Sequence, residues 1–323
     1  MGKPKISVAL CTYNGEKYLA QQLDSILVQT ITPFELVIAD DCSTDGTLDL
    51  IKKKSEETSI PVRLLRSKSN VGVKANFEKA ISECSGEYIA LADQDDIWQR
   101  DKLQIFAQAI LDSDRSVPTL FYADPALIGS SGEELQGSFL SRARIEPPVV
   151  DYWKLLATRN FAPGCCTVFD RTMVKQLLPF PEQAIIHDWW INLLFSLGGR
   201  ICRVDSQTMM YRLHAGNNQG IGTHGRALKA GSSVGFLRLG SDNLLVEIRQ
   251  LGSALARLHK ESVPYPAQVD QLAALFDRGR LERPYVLMRL GITRGNALKT
   301  LLMMVASMFV TEKQICDDTI SYQ

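Results

Sequence analysis

No stretch of this chain is long and apolar enough to cross a bilayer. The longest apolar run towards the C-terminal end, Leu301–Val310, falls far short of the ~20 residues that a membrane-spanning helix needs. The run Ile6–Cys11 is likewise too short for the core of a secretory signal. The seven cysteines, at 11, 42, 84, 165, 166, 202 and 316, are odd in number and contain no Cys-x-x-Cys pair. Reduced thiols in a cytoplasmic protein are therefore expected, several of them buried. Excess charge is missing too: 36 Lys and Arg stand against 36 Asp and Glu. That balance points to no nucleic-acid partner. There is no internal repeat and no low-complexity segment. What remains is an ordinary globular composition, 45% hydrophobic over 323 residues, enough for a core that needs no disulfide or structural metal.

The first 125 residues alternate strand and helix. Ile6–Cys11, Phe34–Ala39, Val62–Leu65, Tyr88–Ala92 and Thr119–Ala123 read as strands. Leu19, Leu23, Ile26 and Leu27 recur at helical spacing and predict a helix over Lys17–Gln29. Further helices are expected after Ser43-Thr44-Asp45, over Val73–Cys84 and over Lys102–Leu111. Strands separated by such helices imply βαβ units and an α/β fold with a mostly parallel sheet. Right-handed crossovers then bring the strand C-terminal ends to one edge, where open α/β sheets bind ligands. Three polar clusters fall at that edge: Thr12-Tyr13-Asn14, Asp40-Asp41 and Asp93–Asp96. From about 126 to 225 the pattern is less regular, with a helix expected over Asp188–Leu197 and strands over Arg200–Val204 and Met209–Leu213. Beyond 226 only helices are expected. The expected division is 1–225 for a catalytic domain and 226–323 for a helical extension.

The acidic run Asp93-Gln94-Asp95-Asp96 places three carboxylates directly after a buried strand. Clustered carboxylates repel one another, so their ionised form needs a compensating cation. Mg²⁺ commonly takes one or two carboxylates plus the phosphates of a substrate, so the run suits a nucleotide diphosphate. A solvated acidic loop capping the next helix is the plain alternative, and the two other clusters on the same edge weigh against it. Asp40-Asp41 also ends a strand and can accept hydrogen bonds from a base or ribose, while Ser43, Thr44 and Asp45 cap the following helix. A phosphoacceptor receiver domain shares such an Asp pair but is much shorter and lacks the second acidic cluster. Nucleotidyl transfer would need a Gly-rich basic loop, which Ser7–Gly15 does not supply.

Four segments together resemble an inverting family 2 glycosyltransferase of the GT-A fold: Ser7–Gly15 (SVALCTYNG), Asp40–Thr47 (DDCSTDGT), Asn70–Phe77 (NVGVKANF) and Asp93–Trp98 (DQDDIW). The resemblance covers roughly residues 5–220. A finer resemblance, to rhamnosyltransferases of bacterial surface polysaccharides, rests on Asp93–Trp98, His187–Trp190 (HDWW) and Tyr211–Asn218 (YRLHAGNN). The family pattern implies that Thr12, Tyr13 and Asn14 line the nucleotide pocket and that Asp41, or its neighbour Asp40, meets the base. It puts Asn70 and Lys74 near ribose and diphosphate, Asp93 and Gln94 at the donor, and Asp95 on a divalent ion, Mg²⁺ or Mn²⁺. His214 is a further candidate for metal or diphosphate. Asp188 matches the base that takes the acceptor hydroxyl proton, with Trp189 and Trp190 beside it to exclude water and meet the acceptor. Cys42 departs from the pattern, which has Gly after the Asp pair; a left-handed backbone at that position would be strained.

These resemblances imply transfer of a sugar, with dTDP-L-rhamnose the expected donor, to a saccharide or lipid-linked acceptor. UDP-hexose or UDP-N-acetylhexosamine donors are the alternative, as is a nucleotide-sugar binder without catalysis. In the tail, Arg278, Arg280, Arg283, Arg289 and Arg294 alternate with apolar residues. A basic amphipathic helix can lie on the cytoplasmic face of an anionic inner membrane. Packing on the catalytic domain or pairing of two subunits is the competing expectation.

Overall fold

The computed structural model describes residues 2–215, 233–294 and 297–316. Its strands are β1 (Ile6–Thr12), β2 (Glu35–Asp40), β3 (Val62–Arg66), β4 (Tyr88–Ala92), β5 (Ile97–Trp98), β6 (Thr119–Ala123), β7 (Ala126–Ile128), β8 (Glu134–Ser138), β9 (Thr167–Asp170), β10 (Arg200–Val204) and β11 (Met209–Arg212). Its helices are α1 (Glu16–Leu27), α2 (Thr47–Glu56), α3 (Val73–Glu83), α4 (Lys102–Asp112), α5 (Phe139–Ala143), α6 (Tyr152–Leu156), α7 (Val174–Leu177), α8 (His187–Gly198), α9 (Ser233–Lys260), α10 (Gln268–Ala273), α11 (Arg283–Leu290), α12 (Ala297–Phe309) and α13 (Glu312–Ile315).

The chain divides into two compact units. The first is Met1–Phe139, Ala162–Phe180 and Gly199–Asn218; the second is Leu140–Phe161, Pro181–Gly198 and Gln219–Gln323. In the first unit a seven-stranded sheet runs β10-β6-β9-β4-β1-β2-β3. All its neighbours pair in parallel except β9, which is antiparallel to both β4 and β6. Every residue of β1 is buried, as expected of a central strand covered on both faces. Helix α1 buries Leu19, Leu23 and Ile26, the residues whose spacing marks its inner face. A second sheet, β5-β11-β7-β8, lies in the same unit.

The registers fix where the sheet edge falls. Thr12 pairs with Asp40 between β1 and β2, and Leu10 with Ala92 between β1 and β4. The loops after these three strands therefore leave at nearly the same level. In its described residues the second unit is helical. Within it α8 packs on α6 and α9, and α9 carries α10 and α12. Arg283, one of the tail's cations, is buried: its guanidinium donates to the carbonyls of Ser307 at 3.0 Å and Val310 at 2.9 Å and so closes the C-terminal end of α12.

Candidate active site

The loop after β1 is held open by its neighbours. Tyr13 N–H donates to Gln94 Oε1 at 2.8 Å, and Gln94 Nε2 donates back to the Tyr13 carbonyl at 3.0 Å. This reciprocal amide pair joins the ends of β1 and β4. It demands glycine at 15, because a Cβ there would lie 2.2 Å from Gln94 Oε1. Asn14 sits in the left-handed region, φ 47°. Its N–H donates to Ser43 Oγ at 2.9 Å, and its Oδ1 accepts from Thr44 N–H at 2.9 Å. The Tyr13 side chain is left 47% exposed, with its ring available at the edge.

The two acids after β2 have different work. Asp40 is fully buried and accepts from Thr12 Oγ1 at 2.9 Å, Ser43 N–H at 2.9 Å and Ser43 Oγ at 2.5 Å. It holds the loops after β1 and β2 to each other. Asp41 grips the next loop, its two oxygens accepting from Val71 N–H at 2.7 Å and Gly72 N–H at 2.9 Å. Those two amides lie between Asn70, which is exposed, and Lys74, which is half-buried in the first turn of α3. Gly72 has φ 85°, a conformation that an L side chain rarely adopts. Asp41 thus ties the Asn70–Lys74 segment to the end of β2. An ionised carboxylate offers about four lone-pair sites, so Asp41 keeps capacity for a further donor. Cys42 takes φ 65°, the strained left-handed backbone foreseen where glycine is usual.

The acidic run is anchored from β11. The Arg212 guanidinium, buried at 1% exposure, donates to the Asp95 carbonyl at 2.7 Å and to Gln21 Oε1 at 2.8 Å, and lies over the Tyr18 ring at 4.6 Å. Arg212 N–H donates to Asp96 Oδ1 at 3.0 Å. Arg212 is thus a positioning residue in this structure. His214 Nε2 meets Asp95 Oδ2 at 2.7 Å, and both side chains keep 16% exposure.

Asp93 and Asp96 of the acidic run come together with Cys165, a residue that pattern reading did not assign to the site. The ligand atoms of Asp93, Asp96 and Cys165 fall within 4.8 Å of one another. Burial, and then the charges of Asp95 and Asp93, push the Asp96 carboxyl well above the usual range. Burial, and then the Cys166 thiol and Asp96, raise the Cys165 thiol likewise. Lys102 is also fully buried; its ammonium donates to the Cys165 carbonyl at 2.6 Å and sits 4.0 Å from the Trp98 ring. Burial lowers its pKa. A protonated thiol suits neither Mg²⁺ nor Mn²⁺, which prefer oxygen ligands such as carboxylate, carbonyl and water. Asp95 and His214, adjacent and partly exposed, fit such an ion better.

Asp188, Trp189 and Trp190 belong to the second unit, in the first turn of α8. Asp188 is half-buried, and a carboxylate at a helix N-terminus is favoured by the helix dipole. Both indoles are buried, Trp189 donating from Nε1 to the Leu156 carbonyl at 2.6 Å. Neither ring therefore presents an open face for stacking on an acceptor sugar in this structure. Of the segment Tyr211–Asn218, residues Gly216, Asn217 and Asn218 lie outside the described residues.

The model of glycosyl transferase family 2 matches residues 7–178. The chain belongs to that family. An uncharacterized protein of Mycobacterium tuberculosis is 30% identical over 212 residues, which are 65% of this chain and 59% of that protein. The aligned region thus spans less than two thirds of that relative. A UDP-Glc:alpha-D-GlcNAc-diphosphoundecaprenol beta-1,3-glucosyltransferase of Escherichia coli is 28% identical over 214 residues, 66% of this chain and 78% of that protein. Among solved structures, residues 1–349 of Staphylococcus aureus TarS in complex with UDP share the fold at TM-score 0.54 and 18% identity, covering 96% of this chain and 89% of that one. A mostly parallel sheet flanked by helices, with further helices towards the C-terminus, is thus the architecture expected from the resemblance.

Proposed function

We propose that this family 2 chain transfers a sugar from a nucleoside-diphosphate donor to a saccharide or lipid-linked acceptor, with inversion, in bacterial polysaccharide synthesis. One observation carries the reading: Tyr13, Asp41, the Asn70–Lys74 segment and Asp93–Asp95 meet at one sheet edge, tied by hydrogen bonds between their loops. In this reading Thr12, Tyr13 and Asn14 frame the base and Asp41 accepts from it. Asn70 and Lys74 serve ribose and diphosphate, and Asp93 and Gln94 hold the donor. Asp95 with His214 would hold Mg²⁺ or Mn²⁺, which when bound offsets the charge of the leaving diphosphate. Asp188 takes the acceptor hydroxyl proton on a carboxylate oxygen as the new bond forms in line. Trp189 and Trp190, being buried, exclude water and fix the turn that carries Asp188.

For the donor, the segments Asp93–Trp98, His187–Trp190 and Tyr211–Asn218 support dTDP-L-rhamnose. The name of the Escherichia coli relative supports UDP-glucose instead. Both nucleotides carry a pyrimidine with an N3–H that a carboxylate such as Asp41 can accept. The relative's name also supports a diphosphoundecaprenol-linked acceptor, met at the cytoplasmic face of the membrane. The test is release of nucleoside diphosphate from dTDP-rhamnose, UDP-glucose and UDP-N-acetylglucosamine, with Mn²⁺ or Mg²⁺ and a lipid-diphosphate-linked saccharide. Metal-dependent turnover of one donor is expected; silence with all of them contradicts the reading.

A further inference from the structure

Of the arginines interleaved along the tail, Arg294 meets cations from elsewhere in the second unit. Two hydrogen bonds stitch separate segments of this unit, Arg159 Nη2 to the Ala143 carbonyl at 2.7 Å and Thr158 Oγ1 to the Thr293 carbonyl at 3.0 Å, and a local one runs from Arg294 N–H to Thr300 Oγ1 at 3.0 Å. They bring Arg144, Arg159, Arg294 and Lys299 to one place at the start of α12. Burial and then the charges of Arg159, Arg144 and Arg294 lower the Lys299 pKa, as expected when cations crowd. Arg294 is paired with the buried Glu247 carboxylate, while Arg144 and Lys299 are exposed.

The same unit presents apolar side chains at helical spacing. Leu281, Tyr285 and Met288 are 80%, 59% and 61% exposed, at and before α11. Leu298, Leu301 and Phe309 of α12 are 65%, 57% and 54% exposed. Their spacing puts Tyr285 and Met288 on one face of α11, and Leu298, Leu301 and Phe309 on one face of α12, while Leu281 precedes α11. A single bound diphosphate could engage the cations but leaves this apolar area, spread over two helices, without a role. An anionic bilayer engages both: headgroups meet the cations, and the apolar residues enter the headgroup–acyl boundary.

We infer that the face built from α11, α12 and the Arg144–Arg159–Arg294–Lys299 cluster docks on an anionic phospholipid surface. The inference deepens the reading of a lipid-linked acceptor and is tested without any sugar donor. The full chain is sedimented with vesicles of phosphatidylcholine alone and of phosphatidylcholine and phosphatidylglycerol in equal parts. Binding only to the anionic vesicles is expected. Arg144→Gln and Lys299→Gln should each weaken it roughly fivefold, and Leu301→Asp should weaken it while leaving the thermal melt unchanged. All three positions are exposed, so loss of fold does not explain the effect. Equal recovery from both vesicle types overturns the inference, as does binding unchanged in the charge variants. Loss of vesicle binding in low millimolar inorganic pyrophosphate at constant ionic strength also overturns it, by assigning the cluster to a diphosphate ligand. Donor turnover without vesicle binding contradicts this inference alone; vesicle binding without turnover contradicts the proposed activity alone.

Discussion

At the scale of single residues, strain and proton transfer give the sharpest expectations. Cys42 holds a left-handed backbone at φ 65° with only a 3.6 Å contact from Sγ to the Lys68 carbonyl. Such a conformation costs an L residue about 1–2 kcal/mol, part of which glycine returns as unfolded-state entropy. Cys42→Gly is therefore expected to stabilise the protein by about 0.5–1 kcal/mol, read as a higher urea midpoint at unchanged slope. Asp188→Asn keeps shape and removes the proton acceptor. It is expected to lower transfer roughly a hundred- to ten-thousand-fold while nucleotide affinity, read by calorimetry, stays the same. Transfer at the wild-type rate would remove Asp188 from the mechanism. The strain at Cys42 was legible from the motif, because the position calls for glycine. The buried ammonium of Lys102 had a fainter signal: residues 102, 103, 106, 107 and 110 share the buried face of α4, yet charge alone suggests exposure.

At the scale of elements, the strands ending at the candidate site were legible because they are continuous apolar runs. Tyr88–Ala92 and Thr119–Ala123 form as expected, and Ile6–Cys11 extends by one residue to Thr12. Strand β9 was not foreseen. It is four residues long, follows the Gly164–Cys166 turn and is buried throughout, so it shows no alternation to read. It also turns an otherwise parallel sheet into a mixed one. The three edge clusters were visible in sequence, but their cross-ties were not, since Gln94–Tyr13 and Asp41–Gly72 join residues 81 and 31 apart. The Gln94 clamp can be tested as a pair. Gly15→Ala pushes a Cβ into Gln94, and Gln94→Ala removes the clamp directly. Each alone should weaken nucleotide binding roughly fivefold to tenfold, the worth of one or two hydrogen bonds. The double variant should be no weaker than either, because both break the same contact. Additive losses would show that Gly15 acts through something other than Gln94.

At the scale of the whole molecule, 36 Lys and Arg balance 36 Asp and Glu, and no described helix is long and apolar enough to cross a membrane. One buried group couples the fold to pH. Burial lowers the His187 pKa from 6.5 to about 3. The unfolded chain therefore binds a proton that the folded one refuses. Stability is full above pH 6.5 and falls by about 1.4 kcal/mol per pH unit as the pH drops towards 3. His187→Phe should flatten that acid limb in denaturation curves from pH 6.5 to 4; an unchanged limb would assign the loss to other groups. The central claim is that the sheet edge binds a nucleoside diphosphate with a divalent ion on Asp95. Its most direct test is calorimetric titration of UDP and dTDP, with and without Mn²⁺, into the wild-type chain and Asp95→Asn. The account predicts tight binding that depends on Mn²⁺ in the wild type and loses that dependence in the variant. Equal affinity with and without metal, or no binding of either nucleotide, would contradict it.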